Sequence, residues 1–299
     1  MRNTLFFRGF NYLAKREMLN WMSDKAYIDL MFQYRIGIKI DWKNPKTFNE
    51  KLQWLKLYDR RPEYHSMVDK YEAKLYVSSQ IGEQYIIPTL GLWDSVEEID
   101  FASLPDSFVL KCTHDSGSIV LCPDKKQFNK EAAFKKLNHG LNRDMFYWGR
   151  EWPYKGLKRR IIAETYMRDE SGTDLKDYKV LCFNGEPKLI ELHQQRNTEN
   201  QTQDYYDTNW KLTEITQNST HIYKESKQSV EKPAALEEML ALSARLSQGI
   251  PQLRVDWYSI SGRLYFGELT FFDGSGFEPY DKYEDDLMLG SWITLPHKV

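Results

Sequence analysis

The sequence predicts an α+β fold in which antiparallel strand hairpins alternate with helices, and three observations carry that expectation. Three runs of β-forming residues are each interrupted by a short turn signal, at Asp115-Ser116-Gly117, Asn184-Gly185 and Ser261-Gly262. Helical stretches lie between them, near 128–147 and 233–248. At 299 residues, 41% hydrophobic and 14% aromatic, the chain can bury a substantial core as one large domain or two modest ones, which excludes wholesale disorder. Hairpins interleaved with helices argue against a doubly wound parallel sheet.

Taken in order, residues 4–37 read helical. Leu5, Phe6, Phe10, Leu13, Met18, Trp21 and Met22 recur near helical spacing, and Ser23-Asp24 breaks the pattern before a second helix. Thr47-x-x-Glu50 is a capping box that opens a helix through Leu57. A polar break at Arg60-Arg61-Pro62 precedes a helix from about Pro62 to Gln80. The hairpins follow at Phe108–Leu121, Tyr178–Leu192 and Val255–Leu269, with polar linker candidates at Arg168–Thr173 and Gln217–Pro233. No window approaches the roughly 18 consecutive apolar residues of a membrane span. The N-terminus lacks the ordered charged, apolar and small segments of a secretory signal. Cys112, Cys122 and Cys182 form neither a disulfide framework nor a close-spaced metal motif and read as reduced residues in strands, so the expected location is cytoplasmic.

The net charge of −2 hides an asymmetry: residues 1–61 hold 13 Lys/Arg against 6 Asp/Glu, and the remainder 28 against 37. A basic arm beside an acidic body suggests a polyanion or a lipid surface as partner, at the inner face of the membrane in the second case. The alternative is a solvated basic helix face packed on its own acidic body. No nucleic-acid partner is expected.

The third hairpin carries the sharpest chemistry. Glu268 and Thr270 are two apart and share one sheet face. Asp256 joins them if the connection has odd parity or contains a bulge, whereas a two-residue Ser-Gly loop alone opposes Asp256 to Gly267. Two facing carboxylates are destabilising without a cation, and a hard cation such as Mg²⁺ holding a substrate phosphate removes the repulsion. The alternative is a pair of solvent-facing acids. The first hairpin sets Lys111 inside an apolar strand, where a lysine requires a partner such as a bound anion. The following turn, His114 to Ser118, either covers phosphates with backbone N–H groups or is an ordinary hairpin turn. In the second hairpin Asp177 and Lys179 share a face and could pair as a surface ion bridge, with Arg196 just past the return strand. His65, His139, His221 and His297 lack zinc-ligand spacing, and there is no nucleophile elbow and no Walker loop. Asp285-Asp286 reads as a helix N-terminal acid pair. Trp148, Trp152 and Tyr154 read as core or loop anchors, or else as a sugar-stacking platform.

Several motifs, in order and spacing, resemble the ATP-grasp superfamily, and most closely its TupA-like branch from surface-polysaccharide loci. They are Lys46-Thr-Phe-Asn-Glu-Lys-Leu-Gln-Trp54, Asp69-Lys70-Tyr71, Phe108-Val-Leu-Lys111, Ile162-Ala-Glu-Thr-Tyr166, Asp177-Tyr-Lys-Val180, Arg254-Val-Asp-Trp-Tyr258 and Phe266-Gly-Glu-Leu-Thr-Phe271. The resemblance implies an N-terminal helical region (1–60) before an ATP-grasp domain (61–299). That domain would clamp a nucleotide between a small lid subdomain (about 106–165) and a larger subdomain (about 166–296). It implies that Lys70 and Lys111 hold ATP phosphates, that Ser116, Gly117 and Ser118 close over them, and that Glu164, Thr165 and Tyr166 form the hinge strand at the adenine. Asp177 matches the acid near the ribose. Lys179 and Arg196 match basic groups beside the γ-phosphate and acceptor, and Arg254 the arginine at the reacting centre. Asp256 and Glu268 match the Mg²⁺ ligands, with Thr270 where the superfamily usually has Asn. The third position could then be completed by water or Asp273.

The implied activity is an ATP- and Mg²⁺-dependent carboxylate–amine ligase acting through an acyl phosphate. Its substrates would be an amino acid or other amine and a uronic acid of a surface polysaccharide or its precursor. A phosphotransferase on a sugar acceptor is the alternative, recognisable by a stable phosphorylated product. A glycosyltransferase and a non-catalytic nucleotide-binding module stand behind both.

Overall fold

The computed structural model describes residues 5–169, 175–195, 199–217, 225–226 and 230–297. The chain opens with α1 (Leu5–Lys15) and α2 (Asp24–Arg35), the second started by Ser23, whose side chain accepts from the Ala26 N–H. Phe10, Leu19, Tyr27, Ile28, Met31, Phe32 and Ile40 form a separate small core with Phe277. Next comes α3 (Phe48–Tyr58), where the expected capping box is complete: Thr47 accepts from Glu50 N, and Glu50 Oε2 accepts from Thr47 N. This helix packs against the last one, α9 (Tyr283–Ser291), across Gly290, where a Cβ would lie 2.1 Å from the Lys46 carbonyl.

The single helix expected over 62–80 is instead two, α4 (Tyr64–Val68) and α5 (Glu72–Ile81). Asp69 causes the break: its carboxylate caps α5 by accepting from the N–H groups of Tyr71 and Glu72. The interruption leaves the Lys70 N–H to bond Thr113 O at 2.9 Å, which pins Lys70 beside the first hairpin.

Two antiparallel sheets follow. The smaller has the order β1-β4-β2-β3, from Thr89–Trp93, Ile161–Thr165, Phe108–Cys112 and Ile119–Cys122. The helical stretch expected near 128–147 comprises α6 (Lys130–Leu141) and α7 (Met145–Gly149), between β3 and β4 in sequence, and Leu137 of α6 joins the core of this sheet. The larger has the order β7-β6-β5-β8-β9, from Thr202–Asp207, Glu186–Gln194, Asp177–Phe183, Gln252–Ile260 and Arg263–Thr270, with α8 (Leu236–Leu246) before β8. All three expected hairpins form. Asn184 and Gly185 take φ of 52° and 86°, and Ser261 and Gly262 take 50° and 75°, as two-residue turns with a left-handed backbone require.

One face of the large sheet is apolar: Val180, Cys182, Ile190, Leu192, Val255 and Trp257 are buried, and the Trp257 indole donates to Ser243 of α8 at 2.9 Å. The opposite face is apolar only at one end, where Phe183 meets Phe48 of α3 at 6.0 Å between centroids. At its other end it is polar. The three cysteines are free and buried in β2, β3 and β5. Asp285 and Asp286 stand in the first turn of α9, and Asp286 accepts from Asn49 N at 3.0 Å.

Candidate active site

Strand register assembles the polar end. Glu191 of β6 lies opposite both Tyr205 of β7 and Lys179 of β5, and Lys179 lies opposite Asp256 of β8. The connection from β8 to β9 is the two-residue Ser-Gly loop, which by parity alone sends Asp256 and Glu268 to opposite faces. A bulge restores them: Val255 pairs with Leu269 but Trp257 with Phe266, so Asp256 faces both Gly267 and Glu268. Gly267 permits it, since a Cβ there would meet the Asp256 carbonyl oxygen at 3.0 Å.

Arg254 draws the two carboxylates together. Its Nε donates to Asp256 Oδ1 at 2.7 Å, and its Nη2 to Asp256 Oδ2 at 2.8 Å, Glu268 Oε1 at 3.0 Å and Thr270 Oγ1 at 3.2 Å. Nη1 donates to Asp273. Lys179 bridges Asp256 at 2.5 Å and Asp177 at 3.0 Å. Asp177 and Lys179 are therefore a buried pair and not a surface bridge, at 2% and 5% exposure, while the Glu268 side chain is half exposed. Burial opposes charge on Asp256, but Arg254 and Lys179 outweigh it and hold the carboxyl below its ordinary range. Asp273 goes the other way: burial and the neighbouring Glu191 raise it, with Arg254 only partly compensating.

The first hairpin and β4 form the second half. Lys111 bonds Glu164 at 2.5 Å, and the buried Lys74 bonds the other oxygen of the same carboxylate. Burial opposes the Glu164 charge too, yet the two lysines hold its pKa at about 2. Glu164 is thus the shared counter-ion of two lysines, and its backbone lies within the paired stretch of β4, between β1 and β2. Tyr166 lies past the last ladder position. Lys70 Nζ donates to the Asp115 carbonyl, and Ser118 Oγ to the Asp115 carboxylate, which ties Lys70 to the 115–118 loop.

Against the smaller sheet lies a cavity of about 1380 Å³ that reaches the larger sheet at Tyr258 and is lined by none of Lys70, Asp177, Lys179, Arg254, Asp256, Glu268 or Thr270. Its wall includes Val109, Lys111, Gly117, Ile119, Glu164, Thr165, Tyr166 and Tyr258. Tyr258 lies two residues along β8 from Asp256, on the same face, and so joins the cavity to the carboxylate pair. The volume exceeds the roughly 1,000 Å³ upper end for ordinary small-molecule sites and admits a nucleoside triphosphate. Two carboxylates and a hydroxyl fit Mg²⁺, which is commonly held by one or two carboxylates plus substrate phosphates. No group of three or more His, Cys, Asp or Glu arranged for a metal occurs among the described residues, so phosphate and water would have to complete the shell.

Arg196 lies outside the described residues. Trp152 and Tyr154 are anchors: the Trp152 indole bonds Arg61 O at 3.3 Å, and Tyr154 packs against the large core. Sequence reasoning missed Lys74, Glu191 and His193. Glu191 and His193 bond each other, and β alternation sets both on the face of Lys179. That spacing was the available signal. Lys74 sits four residues after Lys70 in an ordinary helix and offered none.

A family model described as TupA-like ATPgrasp matches residues 50–294. No curated protein matches the sequence. Among solved structures, an L-amino acid ligase from Bacillus licheniformis is 13% identical, covering 87% of this chain and 57% of its own, with a TM-score of 0.48. A D-alanine–D-alanine ligase from Helicobacter pylori is 14% identical over 85% of this chain and 68% of its own, with a TM-score of 0.46. The corresponding enzyme from Bacillus anthracis, complexed with ATP, is 14% identical over 69% and 54%, with a TM-score of 0.40. The chain thus spans little more than half the length of the Bacillus ligases.

Proposed function

The chain belongs to the TupA-like ATPgrasp family, and on that premise we propose that it is an ATP- and Mg²⁺-dependent ligase joining a carboxylate to an amine through an acyl phosphate. The observation that carries this reading is the convergence of Asp256 and Glu268 on one Arg254 nitrogen, next to a cavity that holds Lys111.

A carboxylate is a poor electrophile, and phosphorylation by ATP gives it a leaving group that an amine can displace. Mg²⁺ bound with the nucleotide would neutralise charge on the phosphates, and Asp256, Glu268 and Thr270 are the residues that would hold it. Lys111 turns from Glu164 to the phosphates. Lys74 makes this inexpensive, because Glu164 keeps one lysine and is not stranded as a buried lone charge. Lys70 and the backbone of Ser116, Gly117 and Ser118 close over the same phosphates. Thr165, Tyr166 and the Glu164 segment take the adenine, and Asp177 lies toward the ribose. Arg254 and Lys179 present fixed positive charge to the transferred phosphoryl group and the acceptor, a role that the family match extends to Arg196.

The substrates belong to the same reading: an amino acid as amine, and a uronic acid of a surface polysaccharide or its precursor as carboxylate. Buried free thiols and dependence on ATP fit a cytoplasmic location. The test is product analysis with amino acids and uronate acceptors. The expected products are ADP, phosphate and an amide. AMP with pyrophosphate would mean adenylation and sink the mechanism, and a stable phosphorylated sugar would identify a phosphotransferase.

A further inference from the structure

Lys56 of α3 is fully buried, and its ammonium group donates to three uncharged oxygens. They are the Gly149 carbonyl at 2.7 Å, the Ser275 carbonyl at 2.7 Å and the Ser275 hydroxyl at 3.0 Å. Such burial of a cation is costly: it lowers the Lys56 pKa to about 7, with Glu151 pulling the other way. Three residues earlier on the same helix face, Gln53 Nε2 donates to the Ser275 and Gly276 carbonyls at 3.1 and 2.7 Å. Gln53 belongs to the Lys46–Trp54 motif, to which the ligase reading gives no role.

Both side chains grip the segment between Phe272 and Phe277. Gly274, Ser275 and Gly276 take φ of 50°, 55° and 59°, and this left-handed backbone is unfavourable at the non-glycine Ser275. The surroundings leave the segment no slack: a Cβ at Gly276 would lie 2.4 Å from Gln53 Nε2, and one at Gly149 2.2 Å from Ser275 Oγ. Phe272 is buried in the large core and Phe277 in the small N-terminal one, so both ends are anchored. The first residue of the segment is Asp273, whose carboxylate accepts from Arg254 Nη1.

We propose that Lys56 and Gln53 are positioning residues: by holding the 273–276 segment they keep Asp273 on Arg254, so that the guanidinium retains one carboxylate when Asp256 and Glu268 turn to bound metal. The proposal rests on the ligase reading. Arg254 is buried, and Nε and Nη2 are the atoms it gives to Asp256 and Glu268. Once those bonds are given up, Asp273 is the carboxylate left bonded to it among the described residues. A buried guanidinium with no counter-ion would be strongly destabilising, and one held at Nη1 alone keeps its orientation with Nε and Nη2 turned to phosphate.

The experiment is calorimetric titration of the full chain with Mg·ATP and with Mg·ADP. The wild type should prefer Mg·ATP, because Arg254 meets the phosphoryl group that ADP lacks. Asp273→Asn, Lys56→Met and Gln53→Met should each lower that preference about tenfold while Mg·ADP affinity stays within about twofold. Combining either α3 substitution with Asp273→Asn should add nothing further, since both act through that carboxylate. If Lys56→Met fails to fold, Ser275→Gly carries the test. Glycine accepts the left-handed backbone while the Oγ bond to Lys56 is lost, so the preference should fall with thermal unfolding unchanged. Additive losses, equal losses for both nucleotides, or an unchanged preference in the α3 and Ser275 variants would assign these residues to stability alone and overturn the proposal. A wild type that binds neither nucleotide, or both equally, overturns the ligase reading's placing of Arg254 and the proposal with it. A failure confined to the variants overturns the proposal alone.

Discussion

Lys111 and Lys74 share one buried carboxylate, and the sharing makes their substitutions unequal. Lys111→Met leaves Glu164 paired to Lys74, so the fold should be little affected while Mg·ATP affinity falls about tenfold or more, roughly 1.4 kcal/mol. Calorimetry checks this, and an unchanged affinity removes Lys111 from the phosphate site. Glu164 itself carries a pH signature. Its folded pKa of about 2 lies below the ordinary glutamate value of 4.5, so the stabilisation is complete above that value and is lost as pH falls towards 2. Glu164→Gln should therefore cost about 2–3 kcal/mol at pH 7 and much less near pH 2, measured as the shift in urea midpoint at each pH. Lys111 was legible in the sequence because a lysine in Phe-Val-Leu-Lys-Cys has no reason to be there without a partner. The partner was not, since Glu164 lies 53 residues away along the chain and reaches it through the pairing of β2 with β4.

At the scale of elements the decisive feature is the bulge on β9. The parity of the two-residue turn conflicts with placing Asp256 and Glu268 on one face, and Gly267 resolves the conflict by allowing Asp256 to approach closely. Gly267→Ala places a methyl group against the Asp256 backbone. We expect a loss of about 1–2 kcal/mol in stability, with turnover falling by more than stability explains, because Asp256 is displaced. Unfolding curves and steady-state rates on one preparation separate the two effects, and turnover equal to the wild type would show that the bulge geometry is not needed. The hairpin turns were readable from Asn-Gly and Ser-Gly because left-handed backbone restricts residue choice. The bulge was readable only as a condition, since nothing in Phe-Gly-Glu-Leu-Thr distinguishes a bulge glycine from an ordinary one. The break at Asp69 was missed for a related reason: an aspartate in a helical pattern reads as one more polar residue until its capping bonds are seen.

At the scale of the whole molecule, two antiparallel sheets carry the two halves of the proposed site. The smaller supplies lysines and a loop, and the larger supplies the Arg254-centred carboxylates. Each half is neutralised by internal ion pairs, Lys111 with Glu164 and Arg254 with Asp256, Glu268 and Asp273. On the proposed reading, ligand binding exchanges these internal pairs for contacts with phosphate and metal. Asp256→Asn removes the charge but hardly any volume, so it should abolish turnover; it also strips Arg254 and Lys179 of a buried counter-ion, so unfolding should show a loss of about 3 kcal/mol with the chain still folded. The most direct test of this metal site is a crystal structure with Mg²⁺ and a non-hydrolysable ATP analogue. The expected result is one Mg²⁺ coordinated by both Asp256 and Glu268, with Lys111 released from Glu164 onto the phosphates and Glu164 kept by Lys74. Nucleotide bound while Arg254 still holds both carboxylates, with no metal between them, would contradict it.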